Sequence, residues 1–312
     1  MTPAKFRPHC ALRMSTVDFL LSRFAASLLL LLPATGSAAT VAYWSFDDGA
    51  PPSAATTLTT EFNSPALNGT GTGHSGGSAP LFSSAVRAPE ILASGSGPLL
   101  NTSNTAALYF TNPGLPGNPN SASASIVSIA DGTGAGSILK LTNFTIEGFI
   151  RFEDFANFTA IFTKNRADTG GSSWMLDTND AGNLRARFDT QPIGQTSGSG
   201  WNQSFSTTAQ INNGQWHHVA LTYAAATRKV DLYMDYVRVG GGTATNALVY
   251  DDNALRLGGS GGGRGFDGWM DEVRLSDTAL TPAEFIAVVP EPTSALCLLS
   301  GATVALLFRR RR

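Results

Sequence analysis

From residue 141 onward the chain alternates apolar and polar positions with a period of two. Residues 145–152 set Ile146, Gly148, Ile150 and Phe152 against Thr145, Glu147, Phe149 and Arg151, the mark of a β-strand. Residues 183–189 place Leu184, Ala186 and Phe188 inward and Arg185, Arg187 and Asp189 outward, as a half-buried antiparallel strand does. Residues 160–164 and 173–177 read as partner strands, and DTNDAGN at 177–183 as a turn. Residues 215–223 and 229–239 predict a hairpin across AAATR, and 107–110 and 254–257 two short strands. Near the N-terminus, residues 41–46 put Ala42, Trp44 and Phe46 on one face. Asp47-Asp48-Gly49 and then Pro51-Pro52 end that strand. NGTGTGHSGGS at 68–78 and NPGLPGNPNSASAS at 112–125 read as loops. No helical period is sustained over ten residues in this part of the chain. The pattern predicts an all-β fold: an antiparallel β-sandwich of jelly-roll type.

The stretch from 265 to 287, GFDGWMDEVRLSDTALTPAEFIA, closes this pattern. Its alternation puts Trp269, Asp271, Val273 and Leu275 on one face and Met270, Glu272 and Arg274 on the other. Thr281, Pro282 and Glu284 then form a capping box with a helix-initiating proline, which predicts one short helix. Asp271 is the odd residue. A carboxylate on a core face must be hydrogen-bonded, ion-paired or metal-bound, because an unpaired buried charge is too costly.

FDGWMDEVRLSDTALTPAEF, YWSFDDG at 43–49, LTNFTIEGFIRF at 141–152 and NNGQWHHVALTYAAATRKVDLYMDYVRV at 212–239 together resemble the LamG-like jelly-roll domains of the concanavalin A-like lectin/glucanase fold. The resemblance spans nearly all of 41–287. It implies the fold, and it makes WHHVA a structural signature.

Composition changes the picture at the two ends. Arg13 and Arg23 precede the apolar run 25–32, and Ser37-Ala38-Ala39 offers small residues for cleavage, so 1–39 reads as a secretory signal peptide, with Met1 or Met14 as its start. At the other end Pro290, Glu291 and Pro292 precede an apolar run from 293 to 308, then Arg309, Arg310, Arg311 and Arg312. As a helix that run rises about 24 Å, short of a hydrocarbon core of about 30 Å, and it spans only with local thinning and snorkelling arginines. The arginines mark a cytoplasmic end. This three-part order resembles the PEP-CTERM sorting signal of bacterial envelope proteins. That resemblance implies export, transient residence in the inner membrane, and processing by an enzyme of exosortase type.

Between the ends, 40–288 forms one domain. Cys10 and Cys297 both lie outside it, which excludes a disulfide and a cysteine zinc cluster there. Residues 40–289 carry 13 Lys and Arg against 21 Asp and Glu, a balance of −8 that argues against nucleic acid and anionic glycans as main partners.

Four kinds of chemistry remain to be weighed. GGSGGGRG at 258–265 lacks the lysine and following helix of a phosphate loop and reads as a tight turn. His217 and His218 are neighbours on a strand, point to opposite faces and do not chelate one metal. A glycoside hydrolase needs two carboxylates about 5–9 Å apart. Asp271 and Glu272 split across two faces, and Glu147 and Glu153 do not fit the spacing either. The domain is therefore expected to bind, not catalyse, with a purely structural surface component as first rival and a hydrolase as second. For binding, Asp47, Asp48 and Asp271 are the candidate calcium ligands, because oxygen donors from loops suit that ion. Trp201 and Trp174, with Tyr233 and Tyr236 behind them, are the candidate sugar platforms. The expected partner is a polysaccharide or a surface protein.

Overall fold

The computed structural model describes residues 40–286, apart from 64, 75–76, 87–103, 115–122, 132–136, 156–157, 166–171, 191–201, 251 and 261–262. The expected leader, the sorting residues Pro290, Glu291, Pro292 and Arg309 to Arg312, and Trp201 all lie outside the described residues.

Numbered in chain order, sixteen described strands make two sheets. The first runs β14 (Val237–Thr243), β13 (Lys229–Met234), β12 (His217–Ala224), β7 (Phe144–Phe152), β16 (Gly268–Ser276), β5 (Ala107–Phe110) and β4 (Leu81–Ser83), with β1 (Thr40–Trp44) added to β16. The second runs β11 (Gln203–Gln210), β10 (Asn183–Phe188), β9 (Ser172–Thr178), β8 (Ala160–Asn165), β15 (Leu255–Leu257), β6 (Ser125–Ile129), β3 (Gly69–Gly73) and β2 (Thr57–Leu58). Neighbouring strands pair antiparallel, and the first strand meets the last, Trp44 opposite Val273. The expected antiparallel sandwich is therefore the observed one.

The inward residues of both sheets form one core. It takes Trp44, Phe110, Ile146, Ile150 and Leu221 from the first sheet and Val127, Phe162, Leu176, Phe188 and Leu257 from the second, each fully buried. Burial of such side chains is worth about 1.5–3 kcal/mol apiece, the dominant force holding the sheets together.

Three expectations change. The glycine-rich run at 68–78 is partly strand: β3 pairs with β6 from Gly69 to Gly73. Glycine is required there by close approach, since a Cβ on Gly71 would sit 1.8 Å from the Ala55 carbonyl oxygen. The long second arm of the expected hairpin is two strands. Asp235 and Tyr236 both have positive φ, 48° and 66°, and turn the chain from β13 into β14. The expected short helix is a single three-residue 3-10 turn, Pro282–Glu284. Its Glu284 carboxylate accepts from Thr281 N and Oγ1, each at 2.8 Å.

The segment around that turn lies across the outer face of the first sheet. Leu280 and Phe285 pack on Ala220 and Tyr233, and Ile286 on Tyr43, Phe149 and Trp216. That face is thus buried twice, by the core behind it and by residues 277–286 in front.

Candidate functional site

The site begins at a seam in the first sheet. β1 and β5 lie on the same side of β16, β1 pairing with its second half and β5 with Gly268–Met270. Between those partners stand Asp271 and Glu272. There β16 is irregular: Glu272 has φ 53°, and the register with β7 shifts between Asp271 and Arg274. This is a β-bulge, an extra residue that resets which way later side chains point. Met270, Val273 and Leu275 all belong to the core, while Trp269 packs with the outer cluster. The strict alternation expected from the sequence fails at this bulge. Asp271 sits on the outer face with Trp269, away from the core that takes Val273 and Leu275.

The candidate calcium residues are caps of the seam. Asp47 Oδ1 accepts three hydrogen bonds, from Thr105 N at 2.7 Å, Thr105 Oγ1 at 2.9 Å and Ala106 N at 2.8 Å. Asp271 Oδ2 accepts from Asn104 Nδ2 at 2.9 Å. Two of the three predicted carboxylates therefore converge on one segment, the lead into β5. Asp48 is spent elsewhere, accepting from Thr59 N at 2.9 Å. Calcium takes six to eight oxygens. Here one Asp47 oxygen is committed to three N–H and O–H donors, and among the described residues no three His, Cys, Asp or Glu side chains come together to hold a metal. Among the described residues the geometry fits hydrogen-bonded caps. Next to Asp271, the fully buried Glu272 carboxyl is pushed up to about 8 by burial.

Thr105 also lines a groove that opens to solvent at the edge of the first sheet and encloses about 470 Å³. Pro51, Pro52, Leu81, Ser83 and Tyr109 form its other main walls. The Pro51–Pro52 bond is cis. Pairing sets Leu81 beside Tyr109, Tyr109 beside Trp269 and Trp269 beside Arg151, so one row of outward side chains crosses four strands. The Tyr109 and Trp269 rings lie 4.9 Å apart. The Arg151 guanidinium covers the other ring at 3.9 Å and reaches toward Trp216 at 5.9 Å. Trp269 Nε1 donates to Ser83 Oγ at 3.1 Å, and Tyr109 OH donates to Glu153 Oε2 at 2.5 Å. Burial, and then the Glu153 carboxylate, raise the Tyr109 phenol above its ordinary range, so it stays protonated. Behind this row, burial pushes Asp267 up to about 6, with Glu153 and Asp154 adding to it and the Asn112 N–H opposing. The groove wall thus carries a braced ring, hydroxyls and prolines. The described lining offers hydroxyls, apolar side chains and the Tyr109 phenol.

The other expected platforms fare differently. Trp174 is 2 % exposed and stacks on Phe144 at 4.8 Å, inside the core. It is thereby removed as a sugar platform, because the inward phase of β9 decides its position. Tyr233 is buried against Phe285, and Tyr236 stacks on His218 at 4.5 Å. The two histidines diverge as expected. His217 Nδ1 lies 2.8 Å from Asp235 Oδ2, and His218 Nε2 lies 2.8 Å from Glu147 Oε2 on the opposite face.

Sequence reasoning missed the cluster around Glu147. Its carboxylate accepts from Arg274 Nε at 2.7 Å, His218 Nε2, and Ile286 N at 2.9 Å, while Arg274 Nη2 donates to Glu284 O at 2.6 Å. Burial would raise this carboxyl, but Arg274, His218 and the Ile286 N–H together hold it below its ordinary value. The available signal was a carboxylate in mid-strand, Glu147, in a segment otherwise rich in apolar residues. None of the described helices is long and apolar enough to cross a membrane.

Against known proteins, the profile described as the concanavalin A-like lectin/glucanases superfamily matches residues 122–285, just over half the chain. No curated protein is similar enough in sequence to count as a match. Among solved structures, domain 4 of an extracellular arabinanase from Geobacillus stearothermophilus, in complex with arabinotriose, is 17 % identical. It covers 81 % of this chain and 98 % of its own, at a TM-score of 0.48. The binding domain of botulinum neurotoxin DC is 8 % identical over 80 % of this chain and 50 % of its own, with a TM-score of 0.50. The CBM40 domain of a Ruminococcus gnavus sialidase, bound to sialyllactose, is 16 % identical over 53 % of this chain and 96 % of its own, with a TM-score of 0.40. At these identities the likeness is one of fold. The family match, the paired terminal strands and the two-sheet core agree: this chain belongs to the concanavalin A-like lectin/glucanase superfamily.

Proposed function

We propose that the chain is an exported bacterial envelope protein whose jelly-roll domain binds a polysaccharide and does so without catalysis. One observation carries the reading: a solvent-open groove whose wall is the braced Tyr109 ring, with Ser83 and Thr105 hydroxyls beside it. A flat ring face suits the apolar face of a sugar, and hydroxyls suit its edge. Export rests on the two ends of the sequence. The apolar run behind Arg13 and Arg23 serves as leader. Pro290-Glu291-Pro292 with the arginines 309–312 serves as the signal that an exosortase-type enzyme processes at the inner membrane.

The test is binding of the purified protein to a panel of neutral polysaccharides, with calcium and with EDTA. Saturable binding to one class, unchanged in EDTA and weakened about 10-fold by Tyr109→Ala, is the expected result; that loss is the order of one aromatic stack. Indifference to every polymer, together with self-association, would move the function to a structural one. Release of reducing ends would make the protein a hydrolase.

A further inference from the structure

The row of outward side chains that begins in the groove does not stop at Tyr109. Pairing carries it from Leu81 through Tyr109 and Trp269 to Arg151, across β4, β5, β16 and β7. Leu81 is exposed, and Tyr109, Trp269 and Arg151 each keep part of their surface in solvent. The row is therefore an open track, and it ends where Trp216 and Ile286 are buried together. Three inter-strand steps of about 4.8 Å make it about 14 Å long, farther than a single sugar ring reaches.

Arg151 is the chemically distinct member of the track. Its guanidinium lies 3.9 Å from the centre of the Trp269 ring and 5.9 Å from that of Trp216. Among the described residues no carboxylate and no other hydrogen-bond acceptor engages it. Arg185, Arg238 and Arg274, by contrast, each donate to a carboxylate. Stacking uses the face of a guanidinium and leaves its in-plane N–H groups free at the edge. It also holds that plane in place, so less side-chain freedom is lost when the N–H groups meet acceptors.

The surroundings decide which acceptors suit it. Glu153 and Asp154 follow Arg151 on the same stretch of chain, both exposed, and Asp267 lies close enough to feel their charge. Glu153 accepts from the Tyr109 hydroxyl at 2.5 Å, which sets its carboxylate beside the track. Three carboxyl groups around one guanidinium repel an anionic polymer. Uncharged oxygens are left, and the guanidinium fork can donate to two neighbouring ones at once, as adjacent sugar hydroxyls provide.

We propose, resting on the reading of the groove as a glycan site, that a neutral polysaccharide runs on out of the groove past Tyr109 and Trp269, and that Arg151 donates to a pair of adjacent hydroxyls on a sugar further along it. Tyr109 then holds one sugar and Arg151 selects for chain length. The protein recognises a run of sugars, and a short oligomer confined to the groove gains nothing from Arg151.

The experiment titrates the full-length protein with cello-, xylo- and arabino-oligosaccharides of two to six residues, for wild type, Arg151→Gln, Arg151→Lys and Tyr109→Ala. Wild-type affinity is expected to rise with length in the series that binds. Arg151→Gln is expected to weaken the longest oligomers about 10-fold and the dimer less than about 2-fold. Arg151→Lys keeps a cation over Trp269 but lacks the fork, so it weakens the same long oligomers and again spares the dimer. Tyr109→Ala weakens every length. Wild-type affinity that does not change with length, or Arg151 variants that match wild type or lose equally at every length, would overturn the proposal and leave the groove reading standing. No binding of any oligomer by wild type would overturn both.

Discussion

The two sheets treat their outer faces in opposite ways. On the first, residues 277–286 lie over the sheet, and the polar group beneath them is matched: one carboxylate, Glu147, receives Arg274, His218 and the Ile286 amide. On the second, one carboxylate, Asp177, is shared by three arginines, and two hydroxyls on the same face have no partner among the described residues. A matched buried cluster rigidifies and closes. The comparison therefore assigns structure to the covered face of the first sheet, away from the groove at its edge.

The largest expected effect breaks the matched cluster. Glu147→Ala leaves Arg274 and His218 buried without their carboxylate and is expected to cost about 3–5 kcal/mol, read as a fall in the urea midpoint. Glu147→Gln, which keeps an acceptor, costs less.

Next comes the cover itself. Phe285 is fully buried against Ala220, Tyr233 and Leu280. Phe285→Ala is expected to cost about 3 kcal/mol and to make the chain after Ser276 the first site of limited proteolysis.

A third prediction separates two buried carboxyls by pH. The Glu147 carboxyl is held low, so its contribution is present above the unfolded value near 4.5 and is lost as pH falls through its folded value. Glu272 is pushed up to about 8, so the folded chain holds its proton while the unfolded chain releases it. Stability is then expected to fall as pH rises from 4.5 to about 8, by at most about 1.4 kcal/mol per pH unit from this group. Asp267, raised from 3.8 to about 6, adds to the fall over its own window. Thermal melts across pH 4 to 9 for wild type and Glu272→Gln check this, the variant showing a flatter curve above pH 5.

The smallest effect on stability sharpens the second face. Arg264→Gln removes a part-exposed charge 3.9 Å from Asp177 and is expected to change stability by no more than about 0.5 kcal/mol.

The sequence carried the strands whose alternation is unbroken. NLRARFD at 183–189 puts its arginines on the side opposite the core as the pattern requires, but the expected half-buried strand is buried on both faces, Arg185 at 9 % and Arg187 at 6 % exposure. It hid the breaks that depend on backbone conformation. Glu272, Asp235 and Tyr236 adopt positive φ without glycine, so no local residue announces the bulge in β16 or the turn before β14. The seam was half legible. Asp47 stood out as a charge at a strand end and Asp271 as a carboxylate on an expected core face, yet their shared partner segment, Asn104 to Ala106, is brought to them only by long-range pairing. The approach of Arg264 to Asp177 was illegible for a similar reason: Arg264 arrives from a glycine-rich loop that reads only as a connector.

The most direct measurement of the account is a hydrogen-exchange footprint of the full-length protein with and without a saturating neutral polysaccharide. The account predicts slowed exchange in peptides covering β4 and β5, with peptides from 277 to 286 unchanged. Protection confined to 277–286 and the Glu147 strand, with β4 and β5 unaffected, would contradict it.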